Sequence, residues 1–301
     1  MAKLSYHVPV MLEECIDFLK IDPNGVYVDC TYGGGSHSEA ILKKLSKNGK
    51  LFAFDQDPDA EANVVQDERL VFIDGNFRHL KKLLKIHGIK EVDGILADLG
   101  VSSHQFDSAK RGFSYGSNEF LDMRMEPDLK LTAADILNKY RSEELVRVFS
   151  NYGEVRNSKT LAEAIVSFRA ARRFKVVPDL NSVLDAVMLG DRFKYMAQVF
   201  QALRIEVNDE LKALKDLLVQ GGEVLKTNGR FVVMSYHSLE DKLVKNYFKA
   251  GNTEGEHVKD FYGNIAKNFK LITKKPIVAS DDEKKLNPRS TSSRLRVAEK
   301  I

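Results

Sequence analysis

Gly25-Val-Tyr-Val-Asp-Cys-Thr-Tyr-Gly-Gly-Gly-Ser-His-Ser-Glu-Ala-Ile-Leu42 reads as a strand, a tight loop and the start of a helix. Val26 and Val28 alternate with Tyr27 in a short apolar run, and Ala40, Ile41 and Leu42 open a helical face. Between them Gly33, Gly34 and Gly35 allow backbone angles that side chains forbid. A helix beginning directly after such a turn aims its free N–H groups and positive dipole end at whatever lies above the strand. The loop therefore predicts a nucleotide-like ligand. Glycines alone are a weak signal, because the dinucleotide fingerprint wants glycine where this chain has Ser38. Spacing adds weight: the apolar run Leu51-Phe-Ala-Phe54 ends in Asp55, about twenty residues after the loop, where a carboxylate suits the two hydroxyls of a ribose.

Outward from this stretch, strand and helix signals alternate. Leu12, Cys15, Ile16 and Leu19 stand at helical spacing before a stop at Asp22-Pro-Asn-Gly25, a lead-in helix. After the loop comes a helix to about Leu45, closed by Asn48-Gly49, then strand two to Asp55 and strand three over Leu70–Ile73. A helix lined by Phe77, Leu80, Leu83, Leu84 and His87 ends at Gly88, and Val92–Leu99 makes strand four. Helical crossovers of this length force parallel pairing, so the fold is α/β and doubly wound. Ligands in such sheets sit beyond the C-terminal strand ends, which places Thr31, Asp55, Asp74 and Asp98 on one rim.

From about Lys110 to Gln201 helical signals replace the alternation. Thr132-Ala-Ala-Asp135 reads as a capping box, and Ser142 and Ser158 each precede an apolar run of helical period. Leu145, Val148 and Phe149, with Leu161, Ile165 and Phe168, are expected to form the core of an inserted subdomain. Arg169, Arg172, Arg173 and Lys175 make a basic stretch, a solvated face or else a phosphate-binding patch. From Val207 the α/β rhythm returns, with Leu211, Leu214, Leu217 and Leu218 on one helix face. Asn228-Gly229 leads into a fifth strand, Arg230–Ser235, and Tyr236-His-Ser-Leu-Glu-Asp241 opens a helix. Asn268–Ile277 and Ser293–Ala298 supply two further strands, paired with each other, and Asp281–Lys285 between them reads as a charged loop.

The 301 residues are 43% hydrophobic and 30% charged, enough for one large domain or two. With 46 basic and 43 acidic residues the net charge is +3, so any nucleic-acid surface must be local. Cys15 and Cys30 lack a CxxC or histidine partner at metal spacing, so no metal site and no disulfide framework is expected. No run approaches the ~20 apolar residues of a membrane span, and the N-terminal stretch has no apolar signal region. The expectation is a cytoplasmic protein without a membrane partner.

Seven strands with the last two paired are the arrangement of class I S-adenosylmethionine methyltransferases. Several segments then carry a closer likeness: Tyr6-His-Val-Pro-Val-Met-Leu12, Asp98-Leu-Gly-Val-Ser-Ser103, Arg111-Gly-Phe-Ser-Tyr115 and Leu121-Asp-Met-Arg-Met125. Asn151-Tyr-Gly-Glu154, Phe200-Gln-Ala-Leu-Arg-Ile-Glu-Val-Asn208, Ser235-Tyr-His-Ser-Leu-Glu-Asp241 and Asn287-Pro-Arg289 continue it. Over nearly its whole length the chain resembles the RsmH (MraW) family, bacterial methyltransferases acting on N4 of a cytidine in small-subunit (16S) ribosomal RNA. The resemblance implies a Rossmann-like seven-stranded methyltransferase domain over residues 1–108 and 206–301, with an all-helical substrate-recognition subdomain inserted at 109–205. It implies S-adenosylmethionine as cofactor, held by Gly35, Ser36, His37, Asp55, Phe77, Asp98 and Gln105. The family usually has Gly-Gly-His where this chain has Gly35-Ser-His37, a side chain where backbone should pass close to the cofactor. Ribosomal RNA or the small subunit is the expected partner, and a homodimer is carried as a further candidate.

Methyl transfer from a sulfonium is an in-line displacement, so the protein chiefly positions donor and acceptor. The cytosine N4 is a poor nucleophile, and an acceptor near it would orient the amine and receive its proton. Asp98 is the first candidate and His237 the second; the bland alternatives are a cofactor contact for Asp98 and a helix cap for His237. Many amino-directed methyltransferases carry Asn/Asp-Pro-Pro-aromatic after strand four, whereas Asp98 is followed by Leu99-Gly-Val101, which predicts an unusual acceptor geometry. A base in folded RNA must leave its stack, and the insertion is the natural clamp. Arg111, Arg124, Arg204 and Arg289 are the candidate RNA contacts, each able to fork onto phosphate, stack on a base or bridge internal carboxylates. The competing readings are a nicotinamide-dependent Rossmann oxidoreductase, which would continue with parallel strands, and a non-catalytic RNA-binding module.

Overall fold

The computed structural model describes residues 9–101, 111–256 and 267–301. Two compact units divide the chain: Met1–Gly100 with Leu211–Ile301, and Val101–Glu210.

The first unit is built on a seven-stranded sheet of order β3-β2-β1-β4-β5-β7-β6. Its strands are β1 (Val26–Asp29), β2 (Lys50–Asp55), β3 (Leu70–Asp74), β4 (Val92–Asp98), β5 (Leu225–Ser235), β6 (Phe269–Leu271) and β7 (Arg294–Lys300). The first five run parallel, and β7 lies antiparallel between β5 and β6. Alternation along the strands sorts the core onto two faces, as a period of two requires. Val28, Phe52, Phe54, Ile95 and Phe231 pack on one face with Leu217, Leu218 and Phe248. Tyr27, Leu51, Leu96, Val232 and Val297 pack on the other with Ile41 and Leu45. Gly94 is needed for close approach, since a Cβ there would stand 2.8 Å from the Tyr27 ring.

Helices α1 (Leu12–Leu19), α2 (Ser36–Lys44), α3 (Leu80–Ile86), α9 (Glu210–Val224), α10 (Ser238–Ala250) and α11 (Asp281–Leu286) accompany the sheet. α11 corrects the expected charged loop at Asp281–Lys285. The Ser280 hydroxyl accepts from the Glu283 N–H at 3.1 Å, acids fill the first turn, and Lys284 and Lys285 the last. These suit the helix dipole, and a six-residue helix with no buried face gives periodicity nothing to register. The sixth strand is also shorter than expected; only Phe269–Leu271 pairs continuously, and Ile277 forms an isolated bridge to Leu295. β5 starts earlier, at Leu225, and passes through Asn228 in the left-handed region.

The second unit contains α4 (Ala133–Lys139), α5 (Ser142–Gly153), α6 (Ser158–Ala171), α7 (Val177–Val187) and α8 (Arg192–Asn208). The Thr132–Asp135 capping box forms as expected, whereas Ser142 and Ser158 are first helical residues behind Arg141 and Asn157. Leu145, Val148, Phe149, Leu161 and Ile165 are buried in one core, with Phe168 packed against it. Asn208 closes the unit locally: its Oδ1 accepts from the Met125 N–H at 2.7 Å and its Nδ2 donates to the Met123 carbonyl at 2.7 Å.

Candidate active site

The end of β1 sets the site. Asp29 is buried, and its Oδ2 accepts from the Ser38 hydroxyl at 2.7 Å while Oδ1 accepts from the Thr31 N–H at 3.1 Å. Ser38 stands where the dinucleotide fingerprint has its third glycine, and its fully buried hydroxyl ties helix α2 to the strand end. Gly33 and Gly35 both take positive φ, 51° and 79°, and a Cβ on Gly35 would lie 2.7 Å from the Tyr32 hydroxyl. That hydroxyl donates to the Asn63 carbonyl and accepts from the Val65 N–H, which fixes the floor of the loop. Ser36 begins α2 with no positive φ, so its side chain fits the loop without backbone strain.

Asp55 closes β2. Its Oδ2 accepts from the Gly33 N–H at 2.8 Å and its Oδ1 from the Asp57 N–H at 2.9 Å, so the carboxylate is oriented by the glycine loop itself. Each oxygen retains acceptor capacity for a ribose hydroxyl. Burial pushes its pKa up to about 6 despite those two bonds. Asp74 lies opposite Asp55 in the β2–β3 register and is exposed.

Asp98 ends β4. Its N–H donates to Thr31 Oγ1 at 2.8 Å, which joins the ends of β1 and β4, and its Oδ1 accepts from the Tyr236 hydroxyl at 2.7 Å. Its Oδ2 lies 3.9 Å from His37 Nδ1. Burial again dominates, raising Asp98 to about 6 against the pull of His37 and Tyr236, and it raises Asp29 too. His37 is buried, and its Nε2 has no hydrogen-bond partner among the described residues.

His237 caps α10: its Nδ1 accepts from the Glu240 N–H at 3.4 Å, and Glu240 Oε2 accepts from the Tyr236 and His237 N–H groups. His237 Nε2 lies 3.3 Å from Glu240 Oε1 without hydrogen-bond geometry. The residue of this segment that bonds Asp98 is therefore Tyr236. Phe77 opens a short turn after β3 and leans partly buried on one core face, and Gln105 lies outside the described residues.

The four arginines divide. Arg204 forks onto Glu210 at 2.8 and 2.9 Å, and Arg124 onto Asp122 at 2.7 and 2.8 Å with two further bonds to backbone carbonyls. Arg111 donates to the carbonyls of Arg124 and Met125. Arg289 sits exposed in a turn after α11. In the basic stretch Arg169 donates to the carbonyls of Leu137 and Tyr140, and Arg172 pairs with Asp179 at 2.7 Å.

Sequence reasoning missed Asp29, Ser38 as its partner, and Tyr236. A carboxylate ending the apolar Val26-Tyr-Val28 run was a readable signal for Asp29; nothing local marks Tyr236, whose partner is 138 residues away.

Parallel strands in the order 3-2-1-4-5, followed by an antiparallel β7 where a nicotinamide domain would continue parallel, define the class I S-adenosylmethionine methyltransferase fold, and the glycine loop and strand-end carboxylates occupy its ligand rim. The family model described as MraW methylase family matches residues 4–301, and the chain belongs to that family. Ribosomal RNA small subunit methyltransferase H of Phocaeicola vulgatus is 50% identical over 300 residues, 99% of each chain. The proteins of that name from Flavobacterium johnsoniae and Cytophaga hutchinsonii are each 52% identical, over 99% of both chains and over 98% of this chain and 99% of the other, respectively.

Proposed function

We propose that this protein transfers the methyl group of S-adenosylmethionine to N4 of a cytidine in small-subunit (16S) ribosomal RNA. The observation that carries the reading is full-length identity near 50% to proteins named for small-subunit ribosomal RNA methylation, on a chain with this strand-end site.

The residues present fit the cofactor. The Gly35 cradle tolerates no Cβ, His37 offers a buried nitrogen without a partner, and Asp29, Asp55 and Asp98 form a carboxylate cluster with no lysine or arginine within ion-pair distance among the described residues. A cationic ligand relieves the cost of burying those charges. When bound, the cofactor supplies a methyl group on a cationic sulfur. Asp55 would accept from the ribose hydroxyls, and Gly35, Ser36, His37 and Phe77 would shape the rest of the site. Asp98, held by Tyr236 and Thr31, accepts a hydrogen bond from the cytosine amine and takes up its proton as N4 is methylated. His237 serves by capping α10 behind Tyr236. The helical unit recognises RNA, and Arg289 is the exposed member of the four arginines suited to phosphate.

A cytoplasmic location follows from the substrate; among the described residues no helix is long and apolar enough to cross a membrane. A homodimer belongs to the same proposal and is read from sedimentation against the 34.0 kDa chain mass. The decisive experiment transfers labelled methyl from S-adenosylmethionine to small ribosomal subunits, followed by nucleoside analysis. N4-methylcytidine supports the reading. Cofactor binding without label in any RNA supports the non-catalytic alternative.

A further inference from the structure

Arg204, Arg124 and Arg111, expected to meet RNA, are engaged by carboxylates or backbone carbonyls of the chain, and the net charge of +3 leaves no general cationic surface. Lysines do gather around a cavity of about 230 Å³ at the β6 side of the sheet unit. α10 contributes Lys245 and Lys249, one helical turn apart, and the segment after β6 contributes Thr273 and Lys274. β7 contributes Arg296, and Phe248 and Leu271 add apolar wall.

Lys245, Lys249 and Lys274 are exposed, and none has a carboxylate within ion-pair distance among the described residues. Asp241, beside Arg296, is taken: Arg296 Nε and Nη2 reach its oxygens at 2.6 and 3.0 Å, and Arg294 stands at 3.8 Å. Arg296 is itself 7% exposed and makes no hydrogen bond through Nη1 among the described residues. The buried Thr273 hydroxyl accepts from the Val297 N–H, which leaves its hydrogen to donate. Unpaired lysines from two separate elements around one concavity, with a spare hydroxyl donor, the remaining N–H groups of the paired Arg296 and an apolar wall, match a phosphodiester with a nucleoside attached.

We infer that this cavity is a second RNA-binding site of the protein, one that takes backbone phosphates of the substrate away from the methyl-transfer rim. It rests on the RNA reading above and adds the surface that supplies affinity. Lysines give strength without sequence preference, so the site anchors the RNA and leaves the choice of base to the rim.

The test compares wild type with Lys245→Gln/Lys249→Gln/Lys274→Gln, three exposed changes outside the core. Equilibrium binding to deproteinised 16S ribosomal RNA is measured over a salt series, with S-adenosylmethionine binding as the folding control. The expected result is a loss of roughly tenfold or more in RNA affinity near 0.1 M salt and a log–log salt slope shallower by about 2, with cofactor affinity unchanged. Equal affinity and slope in the two proteins overturn the inference, even if wild type methylates RNA normally. A loss seen on intact subunits but not on bare RNA also overturns it, by pointing to a ribosomal protein. Absence of methyl transfer by wild type tells instead against the proposed function, and an affinity loss in the variant still supports the phosphate site.

Discussion

The strand-end rim of the sheet unit and the helical unit treat charge in opposite ways. In the helical unit Arg204 is forked onto Glu210, Arg124 onto Asp122 and Arg192 onto Asp185, and Arg172 pairs with Asp179. At the rim Asp29, Asp55 and Asp98 are held by hydroxyls, backbone N–H groups and a histidine, with no lysine or arginine in range among the described residues. A paired charge is a structural bond whose meaning is exhausted within the fold. One buried and two half-buried carboxylates without a full counter-charge are costly to the folded state, and a ligand that offsets the cost is the simplest reason to keep them.

The sharpest way to break the comparison is Asp98→Ala. Methyl transfer is expected to fall at least about 100-fold, with weaker cofactor binding by calorimetry and cooperative unfolding retained. Wild-type turnover would make the rim carboxylate another structural group. Arg204→Ala tests the opposite side. It leaves Glu210 half-covered and unpaired, so urea denaturation should show a loss of about 2 kcal/mol, while RNA affinity stays within about twofold. Unchanged stability with weakened RNA binding would turn that pair into a ligand contact.

The pH dependence sharpens the contrast further. Asp55 and Asp98 titrate near 6 in the folded protein against an ordinary 3.8. Between those values the folded form binds protons that the unfolded form does not, so these two groups stabilise the ligand-free protein as pH falls from about 6 toward 4. Affinity for a cationic cofactor runs the other way and falls through the same window. Tyr236→Phe removes a bond that holds Asp98 down, so the midpoint of cofactor binding should move to higher pH and turnover at neutral pH should drop about tenfold. A midpoint that stays in place would remove Tyr236 from the site. The smallest effect is expected for Ser36→Gly: the position is helical, so glycine brings no conformational relief, and cofactor affinity should change by less than about threefold in isothermal titration.

Elements with a strong period were legible before the structure. β1 to β4, the glycine turn and the helical insertion all follow from runs of apolar residues whose spacing is imposed by the core. Asp281–Leu286 was not, because a short helix with every residue at the surface carries its signal in caps and charge order alone. The strand-end positions of Asp55 and Asp98 were readable because a single polar residue closes each apolar run. Ser38 looked like a flawed fingerprint until its hydroxyl was seen on Asp29, nine residues back along the chain. The arginines show the same limit: sequence marks a guanidinium but not whether an internal carboxylate has claimed it.

β7 pairs on both of its edges, with β5 and with β6, and β4 pairs with β5 across the whole helical unit. In time, this means that a growing chain holds β1 to β4 with the β4 edge open while more than a hundred further residues are made. The helical unit is one continuous stretch and can settle as soon as it leaves the ribosome, whereas the sheet waits for Arg294–Lys300 before its antiparallel edge can close. During synthesis the catalytic half of the molecule is therefore the last to exist.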